Sequence, residues 1–394
     1  MRPRIIITLG NFFLAISTTL VSYTLISYLS HFIPETYIGL SIAVGGLFAV
    51  LAFIFLPRLV AKFGSQQLAL VLVCAEIITL FAAAATANTI ASAICIIVVI
   101  SIQPLLLYEL DLLLEATIEK ESETARARTF FLTGGNFGNL AAPLLIGALL
   151  TRGENYSLIF LAAAALLVTF AVLFAARTLP RGEAPDNSHV QKTLTHLLHD
   201  HDLAAVTFGH FILYLFYMWA PFYIPVYFRT VLGIPWSTLG WMFSVMLIPY
   251  VLLEYPAGWA ADRILGDKKL MLAGFLIAGS ALATIGLLTP HSSILSILMV
   301  LVATRIGSSL IESMTEGHFF RCVSEKDIVS VSVFRGVWPL AMFAAPLVAV
   351  TILFFGNYQL LFFLTGGFIA LAGAASVFFI RDFNPKKGHM CLPF

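Results

Sequence analysis

Twelve long apolar runs alternate with short polar gaps along the chain. Each run holds about the 20 apolar residues that a helix needs to cross a bilayer. Backbone groups in hydrocarbon must bond within their own segment, and continuous apolar runs are unlike the alternating strands of a β-barrel. The pattern therefore predicts spanning helices at residues 5–29, 37–57, 67–87, 90–114, 128–150, 156–178, 204–228, 236–258, 269–289, 293–315, 330–354 and 358–380.

The composition agrees with this pattern. The 394 residues are 60% hydrophobic and 11% charged, and the mean hydropathy is +0.95. Soluble domains are about 45–50% apolar and about 25% charged. A soluble core cannot absorb this much apolar sequence, so the predicted fold class is an all-α integral membrane protein in contact with the lipid bilayer.

The basic residues lie on one side of the predicted topology. Of the 22 Lys and Arg residues, 19 lie at the termini, in the even-numbered gaps or at the span ends that adjoin these gaps, and only Arg152 and Arg229 lie in odd-numbered gaps. Positive residues stay on the cytoplasmic side, so we expect a multi-pass protein of the plasma (inner) membrane with both termini cytoplasmic. The net charge of +1 gives no support for a nucleic-acid partner.

The chain divides into two related halves. We predict a six-helix bundle at 1–178, a cytoplasmic linker at 179–203, a second six-helix bundle at 204–381 and a tail at 382–394. Both Pro143 and Pro346 occur in the sequence Ala-Ala-Pro-Leu, in the fifth and eleventh runs. Internal repeats are typical of transporters, whose substrate site lies between the repeats.

The gap after the eighth run carries a specific motif. It combines two glycines, an acid and three basic residues: Gly258, Asp262, Arg263, Gly266, Lys268 and Lys269. The glycines allow close helix approach and a tight turn, and the acid suits a helix N-terminus. The gap resembles the signature loop of the major facilitator superfamily, Gly-x-x-x-Asp-Arg-x-Gly-Arg-Arg, with one extra residue before the second glycine.

The resemblance implies two six-helix bundles that alternate access to a site near mid-membrane. It also implies that Asp262 latches the opposite half, near Arg126 to Thr133, when the cytoplasmic side is shut. Glu254, one turn above the loop, is expected to join the charge clusters at the cytoplasmic helix ends that are described below. The corresponding first-half gap, residues 56–64, keeps a glycine and basic residues but lacks the acid.

The fifth run is rich in glycine and contains Pro143. It looks like a degraded form of the Gly-Pro-x-x-Gly-Gly motif of drug–proton antiporters in the same superfamily. Proline permits a bend and small residues permit close packing. Two interpretations stay open here: a hinge typical of exporters, or helix packing alone.

Two ionisable residues lie deep within predicted spans. Charge at the bilayer centre is costly, so such residues face a cavity or a partner. Arg305 is expected either to line the cavity or to form a structural ion pair. Glu76 suits either proton carriage or a buried hydrogen bond.

Further charges lie at the ends of the fourth and tenth spans and at the starts of the fifth and eleventh. A spacing of four residues places Asp111 and Glu115 on one helix face, and likewise Glu312 and Glu316. We expect two charge clusters, which either act in gating and proton coupling or are solvated helix ends. Their members are Glu109, Asp111, Glu115, Arg126 and Arg128 in the first half, and Glu312, Glu316 and Arg335 in the second.

Helices one, four, seven and ten line the central cavity in the superfamily that this chain resembles. The resemblance therefore implies an aromatic, sparsely charged site for a small-molecule substrate. His210 is either a titrating group or, more in keeping with its position, a structural one. The candidate residues are Thr18, Ser22, Tyr23, Gln103, His210, Tyr214, Tyr217, Arg305 and Ser308.

We find no nucleophile elbow, phosphate loop or zinc helix in the sequence, and expect no cofactor, no metal and no enzymatic activity. The predicted function is proton-coupled efflux of an amphipathic compound by a monomer. The alternative is an uptake symporter for a small anionic metabolite, because Arg305 favours a carboxylate or phosphate. A membrane-embedded enzyme and a non-transporting receptor or scaffold remain as hypotheses of another class.

Overall fold

The computed structural model describes residues 3–118, 121–151, 153–180, 199–323 and 328–381. These residues form helices joined by short turns, with no strand among them, which confirms the predicted all-α fold. The helices are α1 (Pro3–Leu29), α2 (Glu35–Phe63), α3 (Ser65–Ala85), α4 (Thr89–Glu115), α5 (Glu121–Leu149), α6 (Tyr156–Ala175), α7 (His201–Thr230), α8 (Trp236–Ala260), α9 (Asp267–Ile285), α10 (Ile294–Cys322), α11 (Ile328–Arg335), α12 (Val337–Phe355) and α13 (Tyr358–Phe378).

Eleven helical segments in the described part of the chain are long and apolar enough to cross a membrane. The predicted fifth span, which coincides with α5, is not among them. Its glycines and its two asparagines, Asn136 and Asn139, make it less apolar than its neighbours. Asn139 accepts a hydrogen bond from the Thr19 hydroxyl of α1 at 2.8 Å, so this polarity serves helix packing. A twelfth span at α5 stays a prediction.

Several helices extend beyond the predicted spans. The apolar run of α10 was predicted to end at residue 315, yet the helix continues to Cys322. In the same way α2 passes through Pro57 to Phe63, and α5 begins at Glu121 instead of residue 128. Hydropathy detects only the part of a helix that is apolar, whereas the backbone hydrogen bonds continue into its charged ends.

The chain forms two compact units. Unit 1 comprises Met1–Ala184 and Pro221–Val245, and unit 2 comprises Pro185–Ala220 and Met246–Phe394. Residues 181–198 of the predicted linker and the predicted tail at 382–394 lie outside the described residues. The division into 1–178 and 204–381, which rests on the internal repeat, stays a prediction.

Each unit has one helix that packs against several others. In unit 1, α1 packs against α4, α5 and α6, and it buries Ile7, Leu14 and Leu20. In unit 2, α9 packs against α10 and α13 and buries Met271 and Phe275. Lipid tails are as apolar as these side chains, so the hydrophobic effect does not drive helices together within a bilayer. Close side-chain packing between helices stabilises their association instead.

Two glycines form equivalent turns in the two halves. Gly64 joins α2 to α3 with φ 82°, and Gly266 joins the end of the motif loop to α9 with φ 76°. Residues with a side chain rarely adopt a positive φ, so glycine suits both turns. The predicted tight turn at Gly266 is therefore present, with a counterpart at the position that the internal repeat implies.

Within unit 1 the start of α8 lies very close to α5. A Cβ atom built on Gly240 would lie 2.6 Å from the Pro143 carbonyl oxygen and 2.8 Å from the Gly147 Cα atom. One turn further along α8, the Ser244 hydroxyl donates a hydrogen bond to the Leu140 carbonyl at 2.8 Å. The Ser244 hydroxyl of α8 thus bonds the α5 backbone in the turn that precedes Pro143.

Candidate functional site

A chain of hydroxyl groups joins three helices in unit 2. The Tyr217 hydroxyl of α7 donates a hydrogen bond to the Glu312 carboxylate of α10 at 2.6 Å. The Tyr250 hydroxyl of α8 donates to the Tyr217 oxygen at 2.9 Å and lies 2.6 Å from the Ser308 hydroxyl oxygen of α10. We refer to Tyr217, Tyr250, Ser308, Glu312 and Arg305 as the tyrosine–glutamate cluster.

Helix periodicity accounts for this arrangement. Arg305, Ser308 and Glu312 are three and four residues apart on α10, so they share one face. Tyr214 and Tyr217 share a face of α7 for the same reason. Tyr250 was not predicted as a site residue, because α8 is apolar on all sides and the sequence does not show which of its faces meets α7 and α10.

The Arg305 side chain of this cluster is buried, with 2% of its surface exposed. Its guanidinium lies 5.3 Å from the centroid of the Phe216 ring, and its charge acts on the Tyr250 hydroxyl. An aromatic face and nearby hydroxyls partly replace the water that a buried guanidinium loses. The cluster therefore combines one cation, one carboxylate and two tyrosines in apolar surroundings.

An aromatic stack holds His210 beside this cluster. The His210 ring lies 4.1 Å from the Phe334 ring at an angle of 15°, and Phe334 stacks on Phe319 at 4.0 Å. His210 Nδ1 lies 3.0 Å from the Thr315 hydroxyl oxygen. Because His210 is only 1% exposed, these contacts favour the structural interpretation of this histidine over a titrating one.

Tyr214 and Trp338 extend the aromatic surface. Their rings stack at 6.1 Å, and Tyr214 also meets Tyr217 edge-on at 5.9 Å. Trp338 lies just after Gly336, where the chain passes from α11 to α12. Flat aromatic rings of this kind provide apolar contact area with polar edges.

Two of the predicted charge pairs are present. Arg335 donates a hydrogen bond to the Glu316 carboxylate in unit 2. Arg128 and Glu115 form the corresponding pair in unit 1, with 3.2 Å between nitrogen and oxygen. The side chain of Arg126 lies outside the described part of the structure, and Asp111 is partly exposed on α4.

Two other predicted acids are buried between α3 and α4. Glu76 and Glu109 are both 0% exposed, and neither carboxylate has a hydrogen-bond partner among the described residues. The Gln103 side chain lies beside Glu76, and Ser65 lies beside Glu109. Glu109 therefore faces α3 instead of joining the predicted charge cluster. Gln103, which was predicted to line the substrate cavity, lies beside Glu76 of its own unit.

The predicted site residues of α1 belong to unit 1. The Ser22 hydroxyl donates to the Thr18 carbonyl of its own helix at 2.8 Å. Tyr23 is buried and meets the Phe243 ring edge-on at 5.3 Å. All three predicted α1 residues lie in unit 1, whereas the tyrosine–glutamate cluster lies in unit 2.

The motif loop differs in two respects from the prediction. Asp262 lies within a π-helical turn, Ala261–Leu265, and its side chain and that of Glu254 lie outside the described structure. The acid at the start of α9 is instead Asp267. A Cβ atom built on Gly258 would meet nothing within 4 Å, so the close helix approach predicted at this glycine is absent from the described structure.

The basic residues of the loop have different environments. Lys268 donates to the Phe378 and Ile380 carbonyls at the end of α13, at 3.2 and 3.0 Å, and thereby satisfies free carbonyls at a helix end. Arg263 lies over the Trp259 ring at 5.6 Å, and Lys269 is exposed. Lys268 thus connects α9 to the end of α13. Pro346, the other predicted gating residue of unit 2, is buried within α12.

A second buried cluster was not predicted. His318 of α10 lies between two aspartates: its Nε2 is 3.1 Å from an Asp202 oxygen and its Nδ1 is 3.2 Å from an Asp267 oxygen. Asp267 also accepts a hydrogen bond from Arg321 at 2.8 Å, and Asp202 accepts one from the Arg381 backbone at 2.6 Å. Only an imidazolium donates from both ring nitrogens, so this geometry fits a charged histidine.

The same cluster contains residue types that bind metals. Asp202, His318 and Cys322 place one ligand atom each within 4.8 Å of one another. Hydrogen bonds to Asp202 and Asp267 already use both ring nitrogens of His318. The cluster is therefore explained as a hydrogen-bonded ion network that joins the starts of α7 and α9 to the end of α10.

Solved structures with the same fold include two transporters. A mutant of the nucleoside transporter NupG superimposes with a TM-score of 0.76 at 14% identity, covering 96% of this chain and 100% of that one. A POT family transporter in complex with a thioalcohol-conjugated peptide gives the same score and identity, covering 96% of both chains. No curated protein sequence matches this chain.

The family comparison covers nearly the whole sequence. The profile described as Major Facilitator Superfamily matches residues 7–239 and 206–389. The all-α fold, the many apolar helices and the transporter folds of the structural neighbours agree with this match and mark a multi-pass membrane protein. The chain therefore belongs to the Major Facilitator Superfamily.

Proposed function

We propose that this protein is a proton-coupled secondary transporter that exports an amphipathic small molecule by alternating access. The observation that carries the proposal is the tyrosine–glutamate cluster, which places a guanidinium, a carboxylate and hydroxyls among apolar helices. Ionisable groups are costly in a membrane and are typical of substrate or ion pathways. The family membership and the transporter neighbours point to transport instead of catalysis.

The chemistry of the cluster favours a substrate with both apolar and polar parts. Tyr214 and Trp338 offer stacked rings, and Tyr217 and Tyr250 present hydroxyls along with ring faces. Aromatic side chains bind apolar groups over a large area, while their hydroxyls fix the orientation of polar ones. This combination is the reason for our choice of an amphipathic compound.

A second candidate is uptake of a small anionic metabolite. Arg305 supports it, because a buried guanidinium binds carboxylate or phosphate through two parallel hydrogen bonds. Under this alternative the coupling proton and the anion enter together. The two candidates share the site and differ in substrate charge and direction.

The gating parts follow from the family resemblance. We propose that Asp262 acts as the latch of the motif loop, and that the ion pairs Arg335–Glu316 and Arg128–Glu115 form and break during the transport cycle. Pro143 and Pro346 would allow α5 and α12 to bend. We further propose a monomer in the plasma (inner) membrane, with both termini cytoplasmic as the distribution of Lys and Arg residues predicts.

The test is flux into proteoliposomes that contain the purified protein, with and without an imposed pH gradient. The panel holds amphipathic fluorescent dyes, small carboxylates and phosphate esters, and nucleosides and dipeptides because of the structural neighbours. We expect the pH gradient to drive export of a dye. Gradient-driven uptake of a carboxylate would favour the second candidate, and no flux of any compound would contradict transport.

A further inference from the structure

We infer that Glu312 is the carboxyl that takes up and releases the coupling proton, and that the Tyr217, Tyr250 and Ser308 hydroxyls transmit its protonation state to the backbone at Arg305. This inference rests on the proposed function, since it assigns the proton to one group of the proposed site. Tyr250 becomes a positioning residue that acts through Tyr217.

The direction of the hydroxyl chain depends on Glu312. A hydroxyl has one proton to donate and two lone pairs to accept. When Glu312 is ionised it only accepts, so Tyr217 donates to it at 2.6 Å. Tyr250 then donates to Tyr217 at 2.9 Å, which leaves Ser308 to donate to Tyr250 at 2.6 Å.

Protonation of Glu312 reverses this order. The new O–H bond on the carboxyl donates to the Tyr217 oxygen, and Tyr217 turns its own O–H toward Tyr250. Tyr250 in turn donates to Ser308, whose hydroxyl is released to donate to the Arg305 carbonyl oxygen, 3.4 Å away. Each hydroxyl keeps its own proton and only rotates; the single proton comes from water, binds Glu312 and later returns to water.

Two buried acids of unit 1 and one acid near Glu312 have different surroundings from Glu312. Glu76 and Glu109 lie between α3 and α4, where Gln103 and Ser65 are their polar neighbours. Glu316 is bound to Arg335. Glu312 is only partly buried, so a proton from water can reach it. Of Glu76, Glu109 and Glu312, Glu312 is the acid that the described hydrogen bonds connect through Tyr217, Tyr250 and Ser308 to the Arg305 backbone carbonyl.

The surroundings of Glu312 contain several charged or titratable groups. Tyr214 and Tyr217 of α7 and Tyr250 of α8 lie within its electrostatic reach. On its own helix Arg305 acts on the same Tyr250 hydroxyl, and Glu316 one turn further is neutralised by Arg335 of α11. The Tyr217 phenol gives the carboxyl a hydrogen-bond partner.

The test is pH-dependent difference infrared spectroscopy of the full-length protein in lipid bilayers, without any substrate. Acidification should produce the C=O stretching band of a protonated carboxyl, and Glu312→Gln should remove it, whereas Glu76→Gln and Glu109→Gln should retain it. Tyr217→Phe should move the band to higher frequency, because the carboxyl loses its hydrogen-bond partner. Tyr250→Phe should move it in the same direction by less, because hydrogen bonds in a chain strengthen one another.

The matched control is Tyr28→Phe. Tyr28 is a buried tyrosine of unit 1 whose hydroxyl lies 2.9 Å from the Ser92 hydroxyl, so the variant removes a comparable hydrogen bond away from Glu312. We expect it to leave the band unchanged. Should Glu312→Gln fail to fold, Tyr217→Phe keeps the carboxyl and must still move the band.

Two results would overturn the inference. A band that persists in Glu312→Gln assigns the proton to another group, and a band that is the same in Tyr250→Phe and in the unmodified protein breaks the chain at Tyr217. The spectrum requires no transport. If the unmodified protein transports nothing but its band disappears in Glu312→Gln, the proposed function alone is contradicted. If the unmodified protein transports a compound but the band persists in Glu312→Gln, the assignment to Glu312 alone is contradicted.

Discussion

The Tyr217 hydroxyl donates a hydrogen bond to the Glu312 carboxylate, with 2.6 Å between the two oxygens. The two residues lie on different helices and are 95 positions apart in the sequence. The sequence assigned Tyr217 to the substrate cavity and Glu312 to a charge cluster at a helix end. Their hydrogen bond joins these two predicted groups into one cluster. Under the proposed function, a substrate and a proton would act on the same cluster.

Removal of the Arg305 charge should weaken substrate binding. We expect Arg305→Ala to raise the apparent substrate Kd by about 10-fold or more, since a hydrogen-bonded charge contributes about 1.5–3 kcal/mol. Arg305→Lys keeps the charge but loses the planar fork, and it should lie between the two. Binding is measured by thermal shift with the compound that the flux panel identifies. Equal affinity in all three proteins would make Arg305 a structural residue.

His318 should be important for stability. His318→Leu leaves Asp202 and Asp267 buried without their shared partner, and loss of one member of a buried ion network costs about 3–5 kcal/mol. The matched control is Arg229→Gln, which breaks the more exposed ion pair with Glu154 and should cost about 0–1 kcal/mol. Thermal unfolding in detergent measures both. Equal unfolding temperatures for the two variants would contradict the role assigned to His318.

The contact between α5 and α8 should not tolerate a side chain at Gly240. Gly240→Val forces a side chain against the Pro143 carbonyl and the Gly147 backbone, and such overpacking costs about 1–3 kcal/mol. Gly258→Val introduces the same residue into the same helix, where the built Cβ meets nothing within 4 Å. The difference in unfolding temperature therefore isolates packing from helix propensity. If Gly258→Val is the less stable variant, the packing argument is wrong.

The latch proposed for the motif loop predicts a kinetic defect. Asp262→Asn keeps the shape of the side chain but removes its charge, so we expect slower turnover with an unchanged unfolding temperature. Initial rates of flux and thermal unfolding are measured on the same preparation. Arg229→Gln, at the more exposed ion pair with Glu154 and outside the motif, is the control and should retain the normal rate. Normal turnover of Asp262→Asn would remove the latch.

Local spacing was sufficient to predict part of the site. The shared face of Arg305, Ser308 and Glu312 follows from the helix repeat alone. The pairs Arg335–Glu316 and Arg128–Glu115 join residues that are close in the sequence, at the ends of consecutive helices. The apolar runs likewise predicted the helices, and their errors lie at charged helix ends, where hydropathy carries no information.

The sequence could not predict which helix faces meet. Tyr250 is one of many apolar or aromatic residues on α8, and only the structure shows that its hydroxyl meets Tyr217 and Ser308. His318 lies 116 positions from Asp202 and 51 from Asp267, and no motif links the three. Contacts at such separations depend on how whole helices pack, which the local pattern of one helix does not encode.

The most direct test compares accumulation with exchange in proteoliposomes that contain the unmodified protein, Glu312→Gln or Glu76→Gln. The account predicts that Glu312→Gln loses pH-driven accumulation by about 10-fold or more, as expected when a group that contributes about 1.4 kcal/mol or more is removed. It should still exchange labelled for unlabelled substrate without a gradient, and Glu76→Gln should do both. Normal pH-driven accumulation by Glu312→Gln would contradict the account.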